Sequence, residues 1–235
     1  MASMDELKKA AGVRAADMIK DGMTVGLGTG STAAHMVNRL AERIKTEGIH
    51  VTGVSTSWST TLQCRSLGIP LKEMGEVSHL DMVIDGADEI DDAKNLIKGR
   101  GAAHLLEKIV ASMTDEYIII ADSGKKVNKL GEKFAVPLEI IPGAIAVVTE
   151  RVKKLGGEVK VRMGAPGKDG PVISDSGNLI ADAKFGLIDD ADKLARNLEH
   201  IVGIVGHGLF VGMATKVILA DAEKEIQKAL DYKDG

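Results

Sequence analysis

Charged side chains cluster after an apolar run in the first half of the chain. The segment Asp85-Gly86-Ala87-Asp88-Glu89 closes a run that begins at Leu80, and Lys98-Gly99-Arg100-Gly101 follows nine residues after Glu89. Glu107 lies in the helical pattern that comes next. Carboxylates at the end of a buried strand must be solvated, paired or used in chemistry, because an isolated buried charge is strongly unfavourable. We therefore predict an active site built from these carboxylates, the lysine and the glycine turn.

The same acids also have structural interpretations. The three acids of the first segment could be caps or solvated loop charges. Glu107 could be an exposed helix residue, since Glu and Lys neighbours are common on helix surfaces. We predict a helix over Ala102–Met113, which places Glu107 nearly two turns in, and the following Ile109-Val110 indicates that its neighbours are partly buried.

A second candidate site is the glycine-rich segment Gly26–Ala33, which joins a predicted strand to a predicted helix. Glycines let backbone N–H groups approach an anion, and a helix N-terminus adds partial positive charge. The hydroxyl groups of Thr29, Ser31 and Thr32 add donors beside Gly30. This pattern predicts phosphate binding, although a tight turn with a Ser or Thr cap would have the same composition.

The same loop matches the relaxed dinucleotide pattern G-x-G-x-x-A through Gly28, Gly30 and Ala33. An NAD enzyme should carry a ribose-binding acid near the end of the second strand, yet the segment Val51–Ser57 ends in hydroxyl residues. No lysine completes a Walker A pattern in this loop. A bare phosphoryl group therefore suits the loop better than a dinucleotide.

Metal, thiol and aromatic chemistry are the weaker candidates. His104 lies three residues before Glu107, but no second pair of ligands accompanies it, so we expect no metal site. Cys64 is the one cysteine and is expected to be a packed small hydrophobe. Trp58 is expected to be a packing or rim residue rather than a stacking platform.

The composition excludes several functional classes. The chain has 235 residues with 44% hydrophobic residues, which is enough for a large packed core. Lys and Arg number 30 against 34 Asp and Glu, and aromatic residues make up 3%, so nucleic-acid binding lacks its charge and its stacking groups. We find neither a signal peptide nor a membrane span, and we expect a cytoplasmic protein.

The elements that must position these residues alternate between strands and helices. We predict an α/β protein whose continuous apolar strands form a parallel sheet covered on both faces. Ligands of such sheets bind beyond the carboxyl ends of the strands. The predicted strands are Thr24–Gly28, Val51–Ser55, Leu80–Asp85 and Tyr117–Ala121. The predicted helices between them are Thr32–Glu47, Ser59–Leu67 and Ala102–Met113.

The regular alternation of predicted strands and helices changes near Lys129, which predicts an inserted domain. Residues 131–206 follow the order βαββαβ, which describes a split-βαβ domain. Residues 1–130 and 207–235 are then the larger domain, with Gly208–Leu219 expected to return to its sheet and Ala220–Leu230 expected to be a terminal helix.

These segments together resemble ribose-5-phosphate isomerase of the A type over almost the whole chain. The resemblance depends on four motifs that occur in the order and approximate spacing of the family. They are Gly-Thr-Gly-Ser-Thr at 28–32, Asp-Gly-Ala-Asp-Glu at 85–89, Lys-Gly-Arg-Gly at 98–101 with Glu-Lys-Ile at 107–109, and Ala-Asp-Ser-Gly-Lys at 121–125.

The resemblance implies a Rossmann-like domain with an inserted ferredoxin-like domain, no cofactor, and a homodimer or homotetramer. It implies interconversion of D-ribose 5-phosphate and D-ribulose 5-phosphate in the non-oxidative pentose phosphate pathway. Glu107 corresponds to the base, and Asp85, Asp88 and Lys98 correspond to residues that handle the sugar hydroxyls. Substrate contacts are expected from the remaining motif positions, namely Thr29, Gly30, Ser31, Thr32, Gly86, Ala87, Gly99, Arg100, Gly101 and Lys125.

Three rival functions stay open at this point. An isomerase or deaminase of the same fold acting on another sugar phosphate would keep the base and the phosphate loop. A sugar-phosphate sensor would not need Glu107 and would normally carry a DNA-binding segment, for which the N-terminal residues leave no room. An NAD oxidoreductase is disfavoured by the missing ribose-binding acid.

Overall fold

A computed structural model describes residues 3–164, 166–221 and 229–230 of the chain. The chain divides into two compact units. Unit 1 comprises Met1–Ala87, Leu106–Lys125 and Met213–Gly235, and unit 2 comprises Asp88–Leu105 and Lys126–Gly212.

The described helices and strands are numbered in chain order. They are α1 (Met4–Ala16), β1 (Thr24–Leu27), α2 (Ser31–Glu47), β2 (Thr52–Ser55), α3 (Trp58–Leu67), β3 (Met82–Asp85), β4 (Glu89–Ile90), β5 (Leu96–Ile97), α4 (His104–Ala111), β6 (Tyr117–Asp122), β7 (Val136–Ile140), α5 (Ile145–Lys154), β8 (Glu158–Val161), β9 (Leu179–Lys184), α6 (Ala191–Glu199), β10 (Ile204–His207), β11 (Leu209–Phe210), β12 (Lys216–Ala220) and β13 (Ala229–Leu230).

Unit 1 is a Rossmann-like layer structure around a parallel sheet. The strand order is β13-β12-β6-β3-β1-β2, and all neighbours are parallel except the edge pair β12 and β13. Strands β3 and β6 are buried along their whole length, as expected for strands covered on both faces. Helix α4 packs so closely on the sheet that a Cβ atom at Gly26 would lie 2.6 Å from Val110.

Unit 2 contains the predicted ferredoxin-like fold. The elements β7, α5, β8, β9, α6 and β10 follow the order βαββαβ, and their antiparallel sheet has the strand order β10-β7-β9-β8. Ala181 and Ala183 of β9 join the apolar cluster that includes Val148 of α5 and Leu198 of α6. A second small sheet has the order β11-β5-β4.

Several predicted bounds were wrong, each for a local reason. Helix α4 begins at His104 rather than Ala102, because Ala102 has a φ of 61° and therefore cannot continue a right-handed helix. The segment Gly208–Leu219 is divided between β11 in the small sheet and β12 in the parallel sheet.

The predicted terminal helix over Ala220–Leu230 is contradicted at both ends. Ala220 ends strand β12, and Ala229–Leu230 form the antiparallel strand β13. Residues 222–228 of that prediction lie outside the described residues. The predicted domain bounds, 1–130 with 207–235 and 131–206, stay a prediction. Within the described part of the chain, no helix combines the length and apolar character needed to cross a bilayer.

Candidate active site

In unit 1, Asp85 anchors the glycine-rich loop to the end of β3. The Asp85 side chain is fully buried. Its Oδ1 accepts the backbone N–H of Thr29 at 3.0 Å and that of Gly86 at 2.7 Å. A Cβ atom at Gly28 would lie 2.1 Å from the same oxygen, so only glycine permits this approach. One carboxylate therefore fixes the turn that leads into α2.

A cluster of hydroxyl groups joins the ends of β1 and β2. The Thr29 hydroxyl donates to Ser57 Oγ at 2.7 Å and lies 2.8 Å from Thr56 Oγ1. Thr60 Oγ1 donates to the carbonyl oxygen of Gly28 at 2.8 Å, and the Ser57 hydroxyl caps α3 by accepting the Thr60 N–H. Because a hydroxyl has one hydrogen to donate, Thr29 is engaged within the protein by both its N–H and its O–H groups.

Sequence reasoning placed the segment Ser55–Ser57 at this edge of the sheet but missed the part played by Thr60. Thr60 lies in the first turn of α3, and its bond to Gly28 joins residues far apart in the chain. No local pattern marks such a residue. The hydroxyl content of the second strand end is the available signal in the sequence.

The N-terminus of α2 is open to an anion. Gly30 caps the helix with a φ of 112° and no side-chain hydrogen bond to the first-turn N–H groups. Gly30 and Ser31 are exposed, and Thr32 is half-buried. The first N–H groups of a helix have no partners within it, so those at Ser31 and Thr32 can bind an anion such as a phosphate.

Lys125 follows the strand on the other side of β3. The strand β6 ends in Asp122, and a short turn of 3-10 helix, Ser123–Lys125, comes next. The buried Asp122 carboxylate accepts the Gly124 N–H at 3.1 Å, which fixes the turn. Because β1 and β6 both neighbour β3 in the sheet, Thr32 and Lys125 lie at the same edge of unit 1 as Asp85.

Glu107 lies in the first turn of α4 and only 5% of it is exposed. Val110 is three residues later on the same helix face and is fully buried against the sheet. The helix starts later than predicted, so Glu107 is closer to the helix N-terminus, where partial positive charge stabilises a carboxylate. The surface interpretation of Glu107 is therefore wrong.

In unit 2, Asp88 and the glycine turn are in direct contact. Asp88 Oδ2 accepts the backbone N–H of Arg100 at 2.9 Å. The Lys98 side chain is 2% exposed, and its Nζ lies 5.5 Å from the centroid of the Phe210 ring. The exposed Arg100 side chain has its guanidinium 5.8 Å from the centroid of the Phe134 ring.

Glu89 has a structural role rather than a solvated one. It is fully buried, and its carboxylate accepts the backbone N–H groups of Gly131, Lys133 and Phe134 at 2.5 to 2.7 Å. It therefore holds the loop before β7. The interpretation of Glu89 as a solvated loop charge is wrong.

The remaining candidate residues have packing roles or lie at the surface. His104 is fully buried, and a Cβ atom at Gly99 would lie 2.7 Å from its Nδ1. Within the described ranges, no group of three or more His, Cys, Asp and Glu side chains could hold a metal ion. Burial raises the pKa of the Cys64 thiol to about 11. Trp58 is 58% exposed, with the Arg65 guanidinium 5.8 Å from its ring centroid.

Comparison with known proteins identifies close relatives over nearly the full chain. The family model of ribose 5-phosphate isomerase A (phosphoriboisomerase A) matches residues 52–224. A relative from Synechococcus sp. (strain JA-3-3Ab), named ribose-5-phosphate isomerase A, is 49% identical over 224 residues, covering 95% of this chain and 96% of the relative.

Solved structures agree with the sequence matches. The structure of ribose 5-phosphate isomerase A from Methanocaldococcus jannaschii is 40% identical with a TM-score of 0.91, covering 96% of this chain and 98% of its own. A D-ribose-5-phosphate isomerase in complex with phospho-erythronic acid is 39% identical with a TM-score of 0.92, covering 97% of this chain and all of its own.

Proposed function

The chain belongs to the ribose 5-phosphate isomerase A family and interconverts D-ribose 5-phosphate and D-ribulose 5-phosphate, and we propose that Glu107 carries the proton in this reaction. The observation that carries the proposal is the placement of Glu107, a carboxylate that is 5% exposed and lies in the first turn of α4. A carboxylate that is shielded from water suits the removal of a proton from carbon.

The isomerisation needs a proton to be removed from one carbon and a proton to be returned to the next. Moving the carbonyl from C1 to C2 removes a proton from C2 and delivers one to C1. A single carboxylate beside both carbons can act as base and then as acid. Glu107 is assigned both steps, with an enediolate between them.

The enediolate carries negative charge on oxygen and needs donors that are already in place. Lys98 is assigned to this oxygen, because its buried ammonium group is a strong donor. The backbone N–H groups of Gly99 and Gly101 are assigned to it as well. The Arg100 N–H, which sequence analysis grouped with them, is occupied by Asp88.

The two aspartates are assigned to the sugar hydroxyl groups. Asp85 assists opening of the furanose ring by moving the hydroxyl proton, and Asp88 binds a hydroxyl of the open chain. Gly86 and Ala87 provide the backbone between them, and both are half-buried. Oδ1 of Asp85 accepts two N–H groups, which fixes the orientation of the carboxylate.

The phosphate is assigned to the N-terminus of α2 and to Lys125. Gly30, Ser31 and Thr32 bind it through backbone N–H and hydroxyl groups, while Thr29 holds the loop in shape. Anchoring the phosphate lowers the entropic cost of aligning a small flexible substrate.

The compound bound to a solved relative supports a site that binds negative charge at both ends of the substrate. Phospho-erythronic acid, bound in that D-ribose-5-phosphate isomerase structure, has a carboxylate at one end and a phosphate at the other. An enediolate phosphate presents negative oxygens at the same two ends. We expect the compound to compete with ribose 5-phosphate in this enzyme too.

Assembly and compartment are part of the proposal. We propose that the enzyme is cytoplasmic and that it forms a homodimer or a homotetramer. Trp58 and Leu62, one turn apart on α3, are 58% and 61% exposed, and such apolar pairs occur at protein contacts. The single buried Cys64 fits a reducing compartment. Light scattering that finds only monomer would contradict the assembly.

The proposed function is tested by turnover of ribose 5-phosphate with and without Glu107. The wild-type enzyme should form ribulose 5-phosphate. Glu107→Gln nearly preserves volume but removes the base, so kcat should fall at least about 100-fold with KM within a few fold. Glu150→Gln, at an exposed position of α5, is the matched control and should retain full turnover. Near-normal turnover of Glu107→Gln would assign the proton transfer to another group.

A further inference from the structure

Arg162 binds the glycine turn of unit 2 from the ferredoxin-like sheet. This residue directly follows β8, and its Nη1 donates to the carbonyl oxygen of Gly99 at 2.9 Å and to that of Arg100 at 3.0 Å. No motif marks Arg162, since it lies more than sixty residues from both partners in the sequence. The contact concerns the turn that follows Lys98 and donates the Arg100 N–H to Asp88.

Asp182 holds Arg162 in one orientation. Arg162 Nε donates to Asp182 Oδ2 at 2.9 Å, and Nη2 donates to Oδ1 at 2.5 Å. The register of β8 and β9 pairs Lys160 with Asp182, which makes Arg162 and Asp182 diagonal neighbours on one sheet face. The two side chains are only 19% and 34% exposed, so a two-point pair of this kind is rigid and partly shielded from water.

The bound peptide connects Arg162 to Asp88. The Gly99 carbonyl and the Arg100 N–H belong to the same peptide group, and the described chain has no cis peptide bond. In a trans peptide these two groups point in opposite directions. The carbonyl accepts from Arg162, and the N–H donates to Asp88 Oδ2 at 2.9 Å. A continuous line of hydrogen bonds therefore runs from Asp182 through Arg162 and the peptide to Asp88.

We propose that Arg162 is a positioning residue for the isomerisation, acting on Asp88 through the Gly99–Arg100 peptide. A cation on the carbonyl oxygen polarises the peptide and strengthens its N–H as a donor, because hydrogen bonds in a chain reinforce one another. The same contact prevents the peptide from rotating, so the Asp88 carboxylate keeps one orientation. Asp182 supports the arrangement by fixing the guanidinium. The inference rests on the proposed role of Asp88 in the reaction.

The first arm of the test measures kcat and KM of Arg162→Ala. Misplacement of a group that handles substrate by a fraction of an ångström should lower kcat about 10- to 100-fold while KM changes less than about threefold. Arg162→Lys should recover only part of the lost kcat, since one ammonium group cannot reproduce the several hydrogen bonds of the planar guanidinium. The matched control is Arg196→Ala, which removes an exposed arginine paired with Asp192 on α6 of the same unit and should leave turnover unchanged.

The second arm separates positioning from a purely structural contact. In an Asp88→Ala background the receiving carboxylate is absent, so adding Arg162→Ala should lower kcat by less than about threefold further. An undiminished loss in that background, or wild-type kcat in Arg162→Ala alone, overturns the inference. Wild-type turnover of Asp88→Ala itself would instead overturn the proposed role of Asp88. If Arg162→Ala fails to fold by circular dichroism, Asp182→Asn takes its place in both arms.

Discussion

Single residues determine the geometry of the parallel-sheet edge. Gly28 allows the Asp85 carboxylate to lie where a Cβ atom would be only 2.1 Å from its oxygen. The motif Gly-Thr-Gly-Ser-Thr indicated a phosphate loop from sequence, yet it could not show that the Thr29 N–H belongs to Asp85. This hydrogen bond joins residues fifty-six positions apart, which only the folded chain brings together.

The phosphate assignment predicts a loss that depends on the substrate. Lys125→Ala and Thr32→Ala should each raise KM for ribose 5-phosphate by at least about tenfold, because a charge-assisted hydrogen bond contributes about 1.5–3 kcal/mol. Turnover of unphosphorylated ribose should change little. Lys126→Ala removes the neighbouring exposed lysine and should leave both substrates unaffected. Equal losses on ribose and on ribose 5-phosphate would show that Lys125 and Thr32 do not hold the phosphate.

Because the Cys64 thiol is buried, we predict that the free energy of unfolding depends on pH. Burial raises the pKa of its thiol from 9.0 to about 11, so the folded chain holds this proton more tightly than the unfolded chain. The resulting stabilisation is full below pH 9 and is lost as the pH rises towards 11. Between pH 8 and 10 the wild-type free energy of unfolding should fall about 1 kcal/mol more than that of Cys64→Ala. If urea unfolding gives parallel pH profiles of the free energy of unfolding for the wild type and Cys64→Ala, the prediction is contradicted.

At the scale of elements, strand and helix positions could be predicted wherever the apolar pattern was continuous. The predicted strand Leu80–Asp85 and helix Thr32–Glu47 agree closely with the observed β3 and α2. The pattern misplaced the start of α4, because a positive φ at Ala102 leaves no trace in hydrophobic periodicity. It also could not find β4 and β5, which are two residues long and are specified by their partners in the small sheet.

Glu89 holds the loop before β7 through a tertiary contact. Its buried carboxylate satisfies three backbone N–H groups of the loop at Gly131–Phe134. Glu89→Gln removes the charge and one acceptor, so the free energy of unfolding should fall by about 2–4 kcal/mol. Glu158→Gln, at an exposed position of β8, should change it by less than about 0.5 kcal/mol. Urea unfolding followed by circular dichroism compares the two, and equal stabilities would contradict the anchoring role.

At the scale of the whole molecule, the family could be predicted because its motifs are spread along the chain in order. The four motifs between residues 28 and 125 identified the same family that the model over residues 52–224 and the solved structures show. The ferredoxin-like elements β7 to β10 carry none of these motifs, and their fold could be predicted from the order of the elements alone. Their contact to the glycine turn, through Arg162, required the structure.

We propose that hydrogen moves between C2 and C1 as a proton on Glu107. A proton held by a carboxylate can exchange with solvent during the lifetime of the enediolate, although a shielded site slows the exchange. Ribose 5-phosphate deuterated at C2 should therefore give ribulose 5-phosphate that has lost part of the label to water.

The most direct measurement is NMR of ribulose 5-phosphate formed from the C2-deuterated substrate in ordinary water and quenched at low conversion. Product incubated without enzyme controls for spontaneous exchange. We expect the deuterium at C1 to be clearly less than complete, because part of the label is lost to water. Complete transfer of deuterium from C2 to C1 would contradict proton transfer through Glu107 and would indicate a hydride shift.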